Sequence, residues 1–166
     1  MNRKYQPLFL LAASIWLLTA CAAEGSTDDV SELTWQEAKA EAQAMELRIA
    51  SMIPSSVILS IDQHEKGGLF RCNDTQHTWT GTTIVTLTAG TSAEPLVKTV
   101  ESKFRERGDF SVSTRRDIAD AYEVQIASTS TAEGYIVGEG TPGTIWIDSW
   151  SPCFTLPDGV YPGGDF

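Results

Sequence analysis

The hydrophobic pattern of this chain changes period several times, and each change marks an element. Thr34-Trp35-Gln36-Glu37 has the form of a capping box, in which the threonine hydroxyl accepts from the first turn and Glu37 reaches back. Trp35, Ala38, Ala42, Met45, Ile49 and Met52 then recur at alternating spacings of three and four. That spacing predicts a helix with one narrow apolar stripe, stopped by Pro54. From Val57 the period drops to two. Val57, Leu59 and Ile61 alternate as far as Asp62, Lys66-Gly67-Gly68 turns the chain, and Leu69 to Cys72 resumes as strand. Thr78 to Thr88 reads as a long strand with Trp79, Val85 and Leu87 on one parity and Thr80, Thr82, Thr86 and Thr88 on the other, hence one buried and one wet face. A second helix follows, capped by Thr91 or Ser92, with Glu94 and Pro95 in its first turn, Leu96, Val97, Val100 and Phe104 on one side, and Gly108 at its end. Further strands are predicted at Phe110 to Arg115, Tyr122 to Ala127, Tyr135 to Gly138 and Thr144 to Trp150.

The order helix, strands, helix, strands predicts an α+β fold: an antiparallel sheet of about five to seven strands with two helices packed on one face. The first helix could offer its stripe to a coiled-coil partner, but the stripe is short and contains two alanines, so it is expected to pack on the domain's own sheet. Residues 34–166 suit a single domain with one core, and no internal repeat is present.

Ahead of the domain the pattern is of another kind. Arg3 and Lys4 precede a charge-free apolar run from Leu8 to Leu18, too short for a mature membrane span of about 20 residues but suited to a signal peptide. The run closes on Leu18-Thr19-Ala20-Cys21, which resembles the lipobox of bacterial lipoproteins. The resemblance implies cleavage of residues 1–20, lipidation of Cys21 and attachment to the outer face of the cell membrane. Residues 21–33 are small and polar and read as a flexible tether.

Charge sharpens this reading. Removing the signal takes two of the twelve basic residues and none of the twenty-two acidic ones, leaving a mature charge of −12. An anionic membrane surface repels such a domain within about 8 Å, a Debye length at physiological salt, so the membrane partner is engaged through the lipid. Arg105, Arg107, Arg115 and Arg116 are interspersed with Glu106, Asp109 and Asp117, so there is no basic stripe and nucleic acid is set aside.

With Cys21 lipidated, Cys72 and Cys153 remain as a pair, and in an oxidising compartment a disulfide is expected. A catalytic thiol lacks the company it needs, since neither cysteine has a histidine motif or a CxxC partner. His64 and His77 are the only histidines, and they flank the Cys72 hairpin near Asp62, Glu65 and Asp74. They are the candidates for a metal site or a hydrolase centre, but no HxxxH or HExxH spacing is present, and exposed turn residues are expected instead. There is neither a GxSxG elbow nor a GxxxxGK loop. Among the carboxylates Asp117, Asp120, Glu123 and Asp148 nothing singles out an acid and base pair. No cofactor is expected.

The last long strand carries the most suggestive chemistry. Alternation in Ile145-Trp146-Ile147-Asp148-Ser149-Trp150 puts both tryptophans and Asp148 on one side and the isoleucines on the other. Either the tryptophans form an open platform or the tail from Leu156 to Phe166 covers them; its apolar and aromatic content favours cover.

The lipobox, the two later cysteines, the strand start Thr78-Trp79-Thr80-Gly81 and the ending Ser151-Pro152-Cys153-Phe154 together resemble small actinobacterial cell-envelope lipoproteins with a single α+β domain of unknown function. That family brings a location and a fold but no activity. The expectation is a monomeric, membrane-anchored, non-catalytic module with Trp79, Trp146, Asp148 and Trp150 as its candidate binding surface for an envelope protein, peptide or glycan. The alternative is a weak hydrolase or metal-dependent enzyme centred on His64 and His77.

Overall fold

The structure, a computed structural model, describes residues 33–166; the predicted signal peptide, Cys21 and all of the tether but Leu33 lie outside the described residues. Helix α1 (Trp35–Ala50) starts on the predicted capping box, with the Glu37 N–H donating to the Thr34 hydroxyl (3.2 Å) and the Thr34 N–H donating to the Glu37 carboxylate (2.9 Å). It ends one turn before Pro54, and a short 3-10 turn (Ser55–Val57) leads into the sheet. Helix α2 (Ala93–Arg107) stops at Gly108, whose φ of 78° is left-handed and closed to most side chains. Ser92 is its N-cap but makes no side-chain capping bond.

Among the described residues eight strands form one antiparallel sheet: β1 (Ile58–Gln63), β2 (Gly68–Arg71), β3 (Gln76–Leu87), β4 (Phe110–Arg116), β5 (Tyr122–Ser128), β6 (Gly134–Glu139), β7 (Thr144–Trp150) and β8 (Phe154–Thr155). The order is β1-β3-β7-β6-β5-β4, and β2 and β8 also pair with β3. The seven predicted strands are all present. The eighth, β8, spans two residues, too few to show a period.

Strand β3 is twelve residues long and is flanked on each edge by a broken strand. On one edge β1 pairs with Thr83 to Leu87 and β2 with His77 to Thr80. On the other edge β7 pairs with Thr80 to Thr86 and β8 with Gln76 and His77. Cys72 follows β2 and Cys153 precedes β8, and their disulfide joins the two flanking strands (Cα to Cα 6.3 Å). The expected pairing is present, and it removes both thiols from any catalytic role.

Both helices pack on one face of the sheet, as the element order predicts. The larger core gathers Ile49, Val85, Val97, Val100, Phe104, Val124, Ile126, Val137, Ile145 and Ile147, all essentially inaccessible. A smaller core, under the first half of α1, holds Ala38, Ala42, Trp79 and Phe154, with Trp35, Leu156 and Phe166 against it. The tail returns across this smaller core. Phe166 exchanges backbone hydrogen bonds with Gly67 (both 3.0 Å), its carbonyl accepts from the Trp79 indole (3.2 Å), and its ring meets Trp35 edge to face at 5.4 Å.

Between the two cores lies a carboxylate. Glu46 is fully buried, and it accepts from Ser149 Oγ (2.5 Å), Thr83 Oγ1 (2.6 Å) and Gln63 Nε2 (2.8 Å). One side chain of α1 is thereby bonded to β1, β3 and β7 with no cation involved. Gly81 makes the close approach feasible, since a Cβ there would stand 3.0 Å from Glu46 Oε1 and 2.1 Å from the Trp79 ring.

Two outcomes follow from these contacts. Glu46→Gln turns an amide N–H toward at least one of the three donors and is expected to cost about 1–3 kcal/mol, read as a lower urea midpoint at unchanged slope; parental stability would show that the carboxylate is dispensable. Replacing both Cys72 and Cys153 by serine is expected to cost about 2–4 kcal/mol. Two free thiols in the unfolded, unreduced protein would refute the link outright.

Candidate binding face

The face of the sheet opposite the helices is built by alternation. In β3 and β7 the residues facing α1 are Gly81, Thr83, Val85, Ile145, Ile147 and Ser149, and the intervening positions turn away. Register then sets Thr80 opposite Trp150, Thr82 opposite Asp148 and Ile84 opposite Trp146. On the far side of β7 the partners of Trp150, Asp148 and Trp146 are Gly134, Ile136 and Gly138. Neither helix among the described residues covers this face.

The glycines of β6 position the first tryptophan. A Cβ on Gly138 would sit 3.4 Å from the Trp146 ring atoms Cε2 and Cζ2 and 3.0 Å from Glu123 Cγ, and one on Gly140 would reach 3.1 Å from Trp146 Cδ1. The indole therefore lies over a strip without side chains, and its N–H donates to the Glu139 carbonyl (3.0 Å). That bond holds the ring to the sheet, leaving it half-buried. Trp150, also half-buried, stands between two depressions. One, of about 260 Å³, is bounded by Phe70, Thr80, Thr82 and Asp148, with His64 and Lys66 at its rim. The other, of about 310 Å³, has a mixed lining that includes Ser111, Ser113, Gln125, Gly134 and Ile136.

Asp148 lies between the tryptophans and accepts from the Thr82 hydroxyl through Oδ1 (2.6 Å). Burial pushes its pKa above the ordinary aspartate value, the Thr82 hydrogen bond opposes this, Glu123 adds to the rise, and His64 opposes it. The three other acids noted in the sequence are engaged elsewhere. Asp117 accepts from the Ala119 and Ala121 backbone (2.8 Å each), Asp120 lies within 4.0 Å of Arg116, and Glu123 is almost fully buried in an ion pair with Arg115. Asp148 alone of the four has neither an ion pair nor a backbone N–H on it.

Comparison with protein-family models, curated proteins and solved structures finds no match.

Three expectations need correction. Trp79, proposed as part of the binding surface, is wholly buried against α1, because its odd parity in β3 points it at the helical face. The tail does not cover Trp146 and Trp150; it crosses the opposite, helical side over Trp79, where Trp35 and Phe166 meet. His64 is the exposed turn residue expected, but His77 is not: it lies half-buried within β3, and the alternative of a histidine cluster fails as well. The His64 N–H donates to the Thr82 carbonyl, whereas His77 pairs with Arg71 and Phe154 on the parity of Trp79, five positions along β3 and so about 16 Å away on the other face. Among the described residues no group of three or more His, Cys, Asp and Glu is placed to hold a metal ion. The His77 Nδ1 atom is buried without a hydrogen-bond partner.

Glu46, the most engaged polar group, escaped the sequence reading. Its signal was available: 38, 42, 46 and 50 are spaced by four, and three of these positions are alanine. A glutamate on a row of alanines is a glutamate facing the sheet.

An acid whose native pKa is raised holds its proton more tightly when folded, so stability is lost as pH climbs from the ordinary aspartate range through the raised native value. Asp148→Asn, which still accepts from Thr82, is expected to raise the Tm at pH 7 by about 1–3 °C and to have no such advantage below about pH 3. A lower Tm at pH 7 would show that the carboxylate is a structural asset instead.

Proposed function

We propose that this chain is an extracytoplasmic lipoprotein of the actinobacterial envelope type whose domain is a non-catalytic binding module acting through its uncovered sheet face. In this reading residues 1–20 are removed as a signal peptide, Cys21 carries the lipid and residues 21–33 form the tether. The lipobox at Leu18 to Cys21 and the two signal-region cations support the address. The Cys72–Cys153 disulfide agrees with an oxidising compartment.

The observation that carries the binding role is the arrangement of Trp146, Asp148 and Trp150 on a face that neither helix nor tail covers. Buried aromatic side chains stabilise a core, but these two rings are half-exposed and flank a carboxylate whose burial disfavours its charge. A domain selected for stability alone has no use for that carboxylate. The ligand is an envelope protein, peptide or glycan, and the module acts as a monomer held to the membrane by its lipid.

Two measurements test the two halves of the reading. Cys21→Ala is expected to move the folded protein from the membrane to the soluble fraction; retention in the membrane after signal processing would remove the lipid anchor from the account. For the face, Trp146→Phe and Trp150→Phe should each reduce the quencher-accessible part of the tryptophan fluorescence. Emission that is blue-shifted and wholly quencher-resistant in the parent would rule out an open platform.

A further inference from the structure

We propose that the depression beside Trp150 is a subsite for one neutral sugar ring of a glycan, an inference that rests on the binding-module reading and names its ligand class. At about 260 Å³ the depression falls just under the range of about 300–1,000 Å³ typical of small-ligand sites, which suits one ring of a longer chain. The second depression, of about 310 Å³ on the other side of the same indole, provides for a neighbouring ring, so the chain would cross Trp150.

The walls match the two kinds of surface a sugar presents. Phe70, 62% exposed, and Trp150 offer aromatic faces to its C–H groups. Thr82 occupies Asp148 Oδ1, and among the described residues no side chain or backbone group donates to Oδ2, which remains to accept from sugar hydroxyls. Thr80 adds a hydroxyl on the same wall.

Charge and topology narrow the ligand class. Asp148 and the −10 charge of the whole chain oppose an anionic ligand, Lys66 is neutralised by Asp165 (2.9 Å), and a cationic ligand is distinguished below by its salt dependence and by hexalysine. Strands β3 and β7 are interior to the sheet, with partners on both edges, so a peptide cannot add to them as a strand. Recognition must pass through side chains, and the side chains present suit a neutral polyol.

The test follows the indole N–H signals of the full chain by NMR, in a polyoxyethylene detergent free of sugar headgroups. The probes are the hexasaccharides of α-1,4-glucose, β-1,4-glucose and β-1,4-N-acetylglucosamine. At least one is expected to move the Trp150 signal saturably while Trp79 stays fixed, with an affinity unchanged between low and about 0.5 M salt. Phe70→Ala, a truncation at an exposed position that leaves the core intact, and Trp150→Ala are each expected to weaken binding about tenfold. No response to any of the three sugars, or an affinity that collapses with salt, overturns the glycan inference. If hexalysine moves Trp150 where the sugars do not, the inference fails and the binding-module reading stands; if none of the four probes moves Trp146 or Trp150, both fail.

Discussion

The Glu46 carboxylate is the constraint on which the rest of the fold turns. A carboxylate fully removed from water is costly unless its hydrogen-bonding capacity is met, and here it is met by neutral donors from three separate strands. These donors fix the height of α1 over the sheet, the register of Gln63, Thr83 and Ser149, and the division of the interior. Ala42, one turn before Glu46, belongs to the smaller core with Trp79 and Phe154; Ile49, one turn after it, belongs to the larger. Neither apolar cluster can slide along the helix without breaking this set of bonds.

The division also explains how the ends of the domain are secured. The larger core has α2 across β4, β5 and β6 and a full complement of branched aliphatic side chains. The smaller core, under the first turns of α1, fully buries only two alanines and two aromatic rings. It is at this poorer end that the disulfide joins β2 to β8 and that the tail pairs with Gly67. Covalent and backbone constraints thus stand where apolar burial is least.

The elements were legible in the sequence because their periods were strong: the capping box, the threonine parity of β3 and the alternation in β7 each specified a face. The disulfide was legible from the two cysteines that remain once Cys21 is assigned to the lipobox. The fate of Trp79 and of the tail was not, since a parity says that two sets of side chains diverge but not which set a helix will cover. Asp148 could be placed beside the tryptophans, yet its lack of an ion pair depends on side chains brought up by other elements, Lys66 among them, which pairs with Asp165. Glu46 is hidden because the apolar stripe of α1 has a polar residue in its gap, and only the alanine row beside it shows which way that residue faces.

The position of β7 has a consequence for how the domain comes into being. Strands β1 to β3 form one group and β4 to β6 another, and the strand that lies between β3 and β6 is β7, which begins only at Thr144. Until that segment is free, the two groups have no shared ladder and the larger core lacks Ile145 and Ile147. A nascent chain short of its last strands can form the two groups separately but not the ladder that joins them, so the sheet closes only when nearly the whole length has been delivered. Closure of the sheet is thus the last event of the chain's delivery, and it comes with the strand that also carries the uncovered tryptophans.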